Sequence, residues 1–61
     1  SDLFRAVMQL SAKYRIVIEL YYYEGYKLKE IAQILKRKET TVRQQIARAR
    51  EQLRKSLTEE I

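Results

Sequence analysis

Leu28-Lys29-Glu30-Ile31-Ala32-Gln33-Ile34-Leu35, then Lys36-Arg37-Lys38, then Glu39-Thr40-Thr41-Val42-Arg43-Gln44-Gln45-Ile46-Ala47-Arg48-Ala49-Arg50, is the stretch that decides the fold. Leu28, Ile31, Ala32 and Leu35 fall at i, i+3, i+4 and i+7, the apolar stripe of one short helix. Val42, Ile46, Ala49 and Leu53 repeat that stripe in a longer helix, predicted to start near Glu39 and to continue to about Leu57. Lys36-Arg37-Lys38 leaves room only for a tight turn between them. Helix, turn and helix in this order form a helix-turn-helix, which lays its second helix in the DNA major groove.

At about 100° per residue, Thr40, Gln44, Ala47 and Glu51 point away from the apolar stripe of the second helix. Arg43 and Arg54 flank that outer side on one edge, and Arg48 flanks it on the other. Arginine pairs bidentately with guanine O6 and N7, and glutamine with adenine N6 and N7. The lysines and threonine hydroxyls around the turn suit phosphate oxygens, as do the free N–H groups at a helix start. Lys36, Lys38, Thr40, Thr41 and Arg50 are therefore the expected phosphate contacts. Ala32 and Val42 have the sizes that let the two helices approach closely.

The charge distribution points the same way. Residues 1–35 carry a net +1, residues 36–55 a net +6 and residues 56–61 a net −2, giving +5 for the chain. Cations gathered on one segment are the footprint of a polyanion binder, although such a run can also be only a solvated helix face.

Working outward, Leu3, Val7 and Leu10 form the stripe of a first helix. Ser11 can cap a second helix with its hydroxyl, without a full capping box because position 14 is Tyr. That helix is predicted over about Ala12 to Glu24, with Tyr14, Val17, Ile18 and Tyr21 as its inner face. Tyr21-Tyr22-Tyr23 cannot all point inward, so one or two rings are expected at the surface. Gly25 follows where a left-handed residue ends a helix. The expected fold is all-α: a compact four-helix domain spanning 1–61, with its recognition helix at about 39–57.

Composition excludes much else. The chain has 61 residues, and a domain of that size buries only about 60% of its unfolded surface. Without cysteine or histidine there is no disulfide, no thiolate metal site and none of the commonest general base. The single glycine excludes a glycine-rich phosphate loop. The acidic residues form no catalytic pair, so no enzyme, cofactor or metal is expected. The apolar run Leu20 to Tyr23 is too short to span a bilayer, and a cytoplasmic protein or fragment is the simple expectation.

The chain also resembles region 4 of bacterial sigma factors, specifically the extracytoplasmic-function group of the sigma-70 family. The matching segments are Leu10 through Leu20, Tyr23-Glu24-Gly25-Tyr26, Lys29 through Leu35, Thr41-Val42-Arg43, and Arg48 through Leu53. The combination of Glu30-Ile31-Ala32, Thr41-Val42 and Arg48-Ala49-Arg50 at this spacing is the family's hallmark. The resemblance implies sequence-specific binding of double-stranded promoter DNA at the −35 element, within RNA polymerase holoenzyme, to direct transcription initiation. It implies that Arg43, Gln44, Ala47 and Arg48 look toward bases and nearby phosphates. It further implies contact with the polymerase beta-subunit flap, and often sequestration by an anti-sigma factor. The promoter-melting region of a sigma factor is absent, so the chain is expected to be one part of a larger system.

This sequence departs from the family at the turn. The family usually has glycine where Lys36 stands, an aliphatic residue at Arg37 and a serine N-cap at Lys38, and Ser11 replaces a frequent proline. A non-glycine residue in a left-handed turn costs on the order of 1 kcal/mol, and loss of a good N-cap about 1 more. Arg37 is expected to lay its stem over the core and keep its head in water. Two other readings compete. One is a LuxR-type regulator domain, which shares the Ile-Ala and Thr-Val core. The other is a helical protein-interaction module without a DNA role, using Leu53 and Leu57 as a short coiled-coil seam.

Overall fold

A computed structural model describes residues 1–59; Glu60 and Ile61, the end of the expected 1–61 domain and of its acidic tail, lie outside it. Four helices follow one another: α1 (Asp2–Gln9), α2 (Ala12–Ile18, continued by a π-helical turn over Glu19–Tyr23), α3 (Leu28–Leu35) and α4 (Glu39–Glu59). The long α4 packs on each of the other three and gives the molecule its 37 Å axis.

The apolar stripes bury as their spacing requires. Val17, Ile31, Ala32, Val42 and Ile46 form one cluster, in which α2, α3 and the first half of α4 meet. Val7, Leu10, Ile18 and Ala49 form a second, which seats α1 on α2 and on the middle of α4. A single stripe on α4 thus serves both clusters. Each aliphatic side chain taken out of water stabilises the fold by roughly 1.5–3 kcal/mol. Val17, Ile31 and Val42 are wholly buried, so the pairing of α3 with α4 rests on the tightest part of the core.

The helix ends show where local chemistry differs from the expectation. The Ser11 hydroxyl caps nothing; the Ser11 carbonyl instead accepts the Tyr14 and Arg15 N–H groups. The working side-chain cap belongs to Ser1, whose Oγ accepts the Phe4 N–H at 3.2 Å. Arg15 donates to the Met8 carbonyl at 3.1 Å, satisfying an orphan acceptor at the end of α1. At the start of α3 the Glu30 carboxylate accepts the Lys27 N–H at 2.8 Å. That is half a capping box, because a lysine ammonium has no acceptor to return the bond.

Leu3 is 48% exposed rather than part of the core, since the first turn of α1 lies along the rim of a groove. On α2, Val17 and Ile18 are buried as expected, Tyr14 is half-buried and Tyr21 is exposed. The π-helical turn explains the last point. The Glu24 N–H reaches back five residues to the Glu19 carbonyl at 2.9 Å, and the Tyr26 N–H reaches the Leu20 carbonyl at 3.0 Å. Widening the turn by one residue pushes all three rings of Tyr21-Tyr22-Tyr23 outward, one more than helical spacing alone demands. Tyr21 and Tyr22 meet edge to face at 4.9 Å. Gly25 then ends the helix at φ +81, as its position predicts.

Candidate nucleic-acid interface

The turn between α3 and α4 closes with Lys36 in the left-handed conformation, φ 55 and ψ 48. The Arg37 N–H donates to the Ala32 carbonyl at 3.0 Å and the Lys36 N–H turns back on Gln33, which together make a Schellman closure. Lys36 is thus a non-glycine residue in a position that favours glycine. Its side chain and that of Lys38 are exposed. The Lys38 carbonyl accepts the Val42 N–H at 3.0 Å, which puts Lys38 at the N-cap of α4.

Arg37 departs from the expectation of a head in water. Its Nη1 donates to Gln45 Oε1 at 2.9 Å and to the Lys13 carbonyl at 3.4 Å, and the residue is half-buried. Stem and head both pack, because Gln45 and the start of α2 stand close enough to offer two acceptors.

On α4, Arg43, Gln44, Ala47 and Arg48 are all exposed. Thr40 is exposed beside them, whereas Thr41 is half-buried on the flank. Arg43 pairs with Glu39 at 3.5 Å, a solvent-facing i,i+4 pair that a phosphate can readily exchange. Arg54 is held by Glu51 through two bonds of 3.1 and 2.6 Å. The Arg54 hydrogen bond, reinforced by the charges of Arg54 and Lys55, keeps the Glu51 carboxyl below its ordinary value, and Glu51 in turn raises Arg54. Among the described residues, Arg48 and Arg50 form no ion pair.

Arg50 separates from Arg48. It lines a shallow groove of about 190 Å³ with Tyr21, Leu28, Arg43, Ile46 and Ala47, so it shares the Arg43 edge of α4. Tyr21, which helical spacing assigns to the inner face of α2, stands at this edge instead and is exposed. A second, mostly apolar groove of about 440 Å³ runs between Leu3, Tyr22, Tyr23, Leu53 and Leu57, with Arg50 and Arg54 along its wall. Tyr21 thus lines the smaller groove and Tyr22 and Tyr23 the larger one, with Arg50 shared between the two. Leu53 and Leu57 line that groove and are half-buried, Leu53 against the second core cluster.

No helix among the described residues is long and apolar enough to cross a membrane, and none of their acidic side chains gather into a group that could hold a metal ion. A comparison with curated proteins finds no match. The family model for sigma-70, region 4, matches residues 1–53, covering all of α1, α2 and α3 and most of α4. The hallmark residues of α3 and α4 are the ones the core buries or the outer face presents, and the chain belongs to the sigma-70 region 4 family.

Proposed function

We propose that this domain binds the promoter −35 element as part of an extracytoplasmic-function sigma factor in RNA polymerase holoenzyme. The observation that carries this reading is the outer face of α4. It holds Arg43, Gln44, Ala47 and Arg48 in solvent on a helix whose opposite side is fixed by wholly buried Val42 and Ala49. Rigid support of this kind is what base readout needs. In this reading Arg43, Gln44, Ala47 and Arg48 meet base edges, and Lys36, Lys38, Thr40, Thr41 and Arg50 hold phosphates. The sigma-70 region 4 family is a non-enzymatic, DNA-binding family that works with RNA polymerase. The apolar groove under Leu3, Tyr22 and Leu57 offers a surface for the polymerase flap, and Arg50 at its wall adjoins the proposed DNA face.

Duplex binding across a salt series tests the proposal. With about 4–6 phosphates neutralised, log K falls against log salt with a slope near −4 to −5. A flat response would favour the protein-interaction module instead.

A further inference from the structure

Arg37 is the one cation of the turn that the DNA reading does not use. It stands just past the left-handed Lys36, where a Schellman closure usually places an apolar residue against the last helical turn. Here a guanidinium leaves the turn and reaches two other elements. It donates to Gln45 on α4 at 2.9 Å and to the Lys13 carbonyl at the start of α2 at 3.4 Å. One side chain at the end of α3 thereby ties together three helices.

The chemistry of the bridge sets its role. A bond from a cation is stronger than one between neutral groups, and the planar guanidinium fixes direction as well as distance. Both bonds leave from Nη1, which turns the Arg37 head toward α2 and Gln45, while Lys36 and Lys38 on either side are exposed and stand nearer to hand for a phosphate. Gln45 lies between Gln44 and Ile46, so a bond to its side chain resists rotation of α4 about its own axis. Rotation by about 20° moves a side chain at the helix surface by roughly 2 Å, beyond the tolerance of a hydrogen bond to a base.

We propose, on the basis of the DNA-binding reading above, that Arg37 is a positioning residue. It holds α4 through Gln45 in the rotation that aims Gln44 and Arg48, and it does not itself touch DNA. The turn's departure from an apolar residue at this position then has a function, in that orientation of the reading helix is set by a directional bond instead of a non-directional contact.

The test uses the 61-residue chain and two duplexes, each two helical turns long: the tightest sequence selected from a random pool, and a scrambled one of the same composition. The variants are Arg37→Leu, Gln45→Ala and their double, with Lys36→Ala for comparison. Arg37→Leu supplies the apolar residue such closures ordinarily hold, and melting confirms that each variant folds. Each single variant should lose roughly three- to tenfold in affinity for the selected duplex, the worth of one hydrogen bond. The double should be no worse than the weaker single. The salt slope should stay at its parent value while the preference for the selected duplex narrows. Lys36→Ala should instead weaken both duplexes alike and shrink the slope by about 1. A slope reduced by about 1 in Arg37→Leu would make Arg37 a phosphate contact and overturn the assignment. Unchanged affinity and preference with a lowered melting temperature would leave it a purely structural residue. A parent chain that binds neither duplex overturns the DNA reading, whereas a parent that binds while Arg37→Leu matches it overturns the positioning role alone.

Discussion

Lys38 occupies the N-cap of α4 and lacks any side-chain acceptor for the orphan N–H groups there. It also sets a cation beside the positive end of the helix dipole, which Glu39 in the first turn offsets only in part. Lys38→Ser should stabilise the free domain by about 0.5–1.5 kcal/mol through a restored cap. The same change removes a charge proposed to meet phosphate, so affinity should fall and the salt slope should shrink by about 1. Stability and binding then move in opposite directions, the sign of a residue kept for function. Melting and DNA titration of this one variant decide the matter; a variant no more stable and equally tight-binding would refute both halves. Arg48→Ala and Gln44→Ala should instead alter which bases are preferred, each losing about 1–3 kcal/mol on the best duplex. Competition between duplexes separates them from Lys36→Ala, which should weaken every sequence alike.

Among the elements, α3 was legible to the residue, because a short stripe bounded by glycine and a cationic turn admits one register. The core half of α4 was equally plain. What escaped was set by contacts that have no period. The widened turn at Glu19–Tyr23 has no compositional signature, since the same tyrosines would suit an ordinary helix edge. The packed Arg37 head is not legible from its neighbours, because its acceptors lie 8 and 24 residues away in sequence. Ser11 stands at a cap position, but its hydroxyl is not used there. In the proposed interface, the exposure of Gln44 and Arg48 follows from helical angles, while the grouping of Tyr21 with Leu28 and Arg50 depends on how three helices pack. The end of that turn yields a prediction of its own. Gly25 has φ +81, yet a Cβ there would meet nothing within 4 Å. Gly25→Ala should therefore destabilise by only about 1 kcal/mol, the backbone penalty alone. A loss near the about 2–5 kcal/mol of a core truncation would show that packing, and not conformation, requires the glycine.

At the scale of the whole molecule, the chain is a cation with very few ways to change its charge near neutrality. It lacks histidine, the side chain that ordinarily titrates between about pH 5 and 8. Stability and duplex affinity should both be flat across that range. In acid the balance shifts, because protonating all 8 carboxylates would leave 13 lysines and arginines unopposed. Self-repulsion in so small a domain then weakens a fold with little stability to spare. Glu51 shows the direction at one site. Its hydrogen bond to Arg54 lowers its value in the folded chain, so the contribution is complete above the ordinary carboxylate range and is lost as pH falls through the lowered value. That pair is exposed and screened by salt, so its own share is small. Melting measured from about pH 7.5 down to pH 3 should show a plateau and then a fall that begins below about pH 5. Added salt should act oppositely in the two regimes: it should raise the melting temperature in acid by screening the cations, and it should weaken duplex binding at neutral pH. A melting step near pH 6.5, or acid unfolding indifferent to salt, would show that self-repulsion between cations is not what limits this fold.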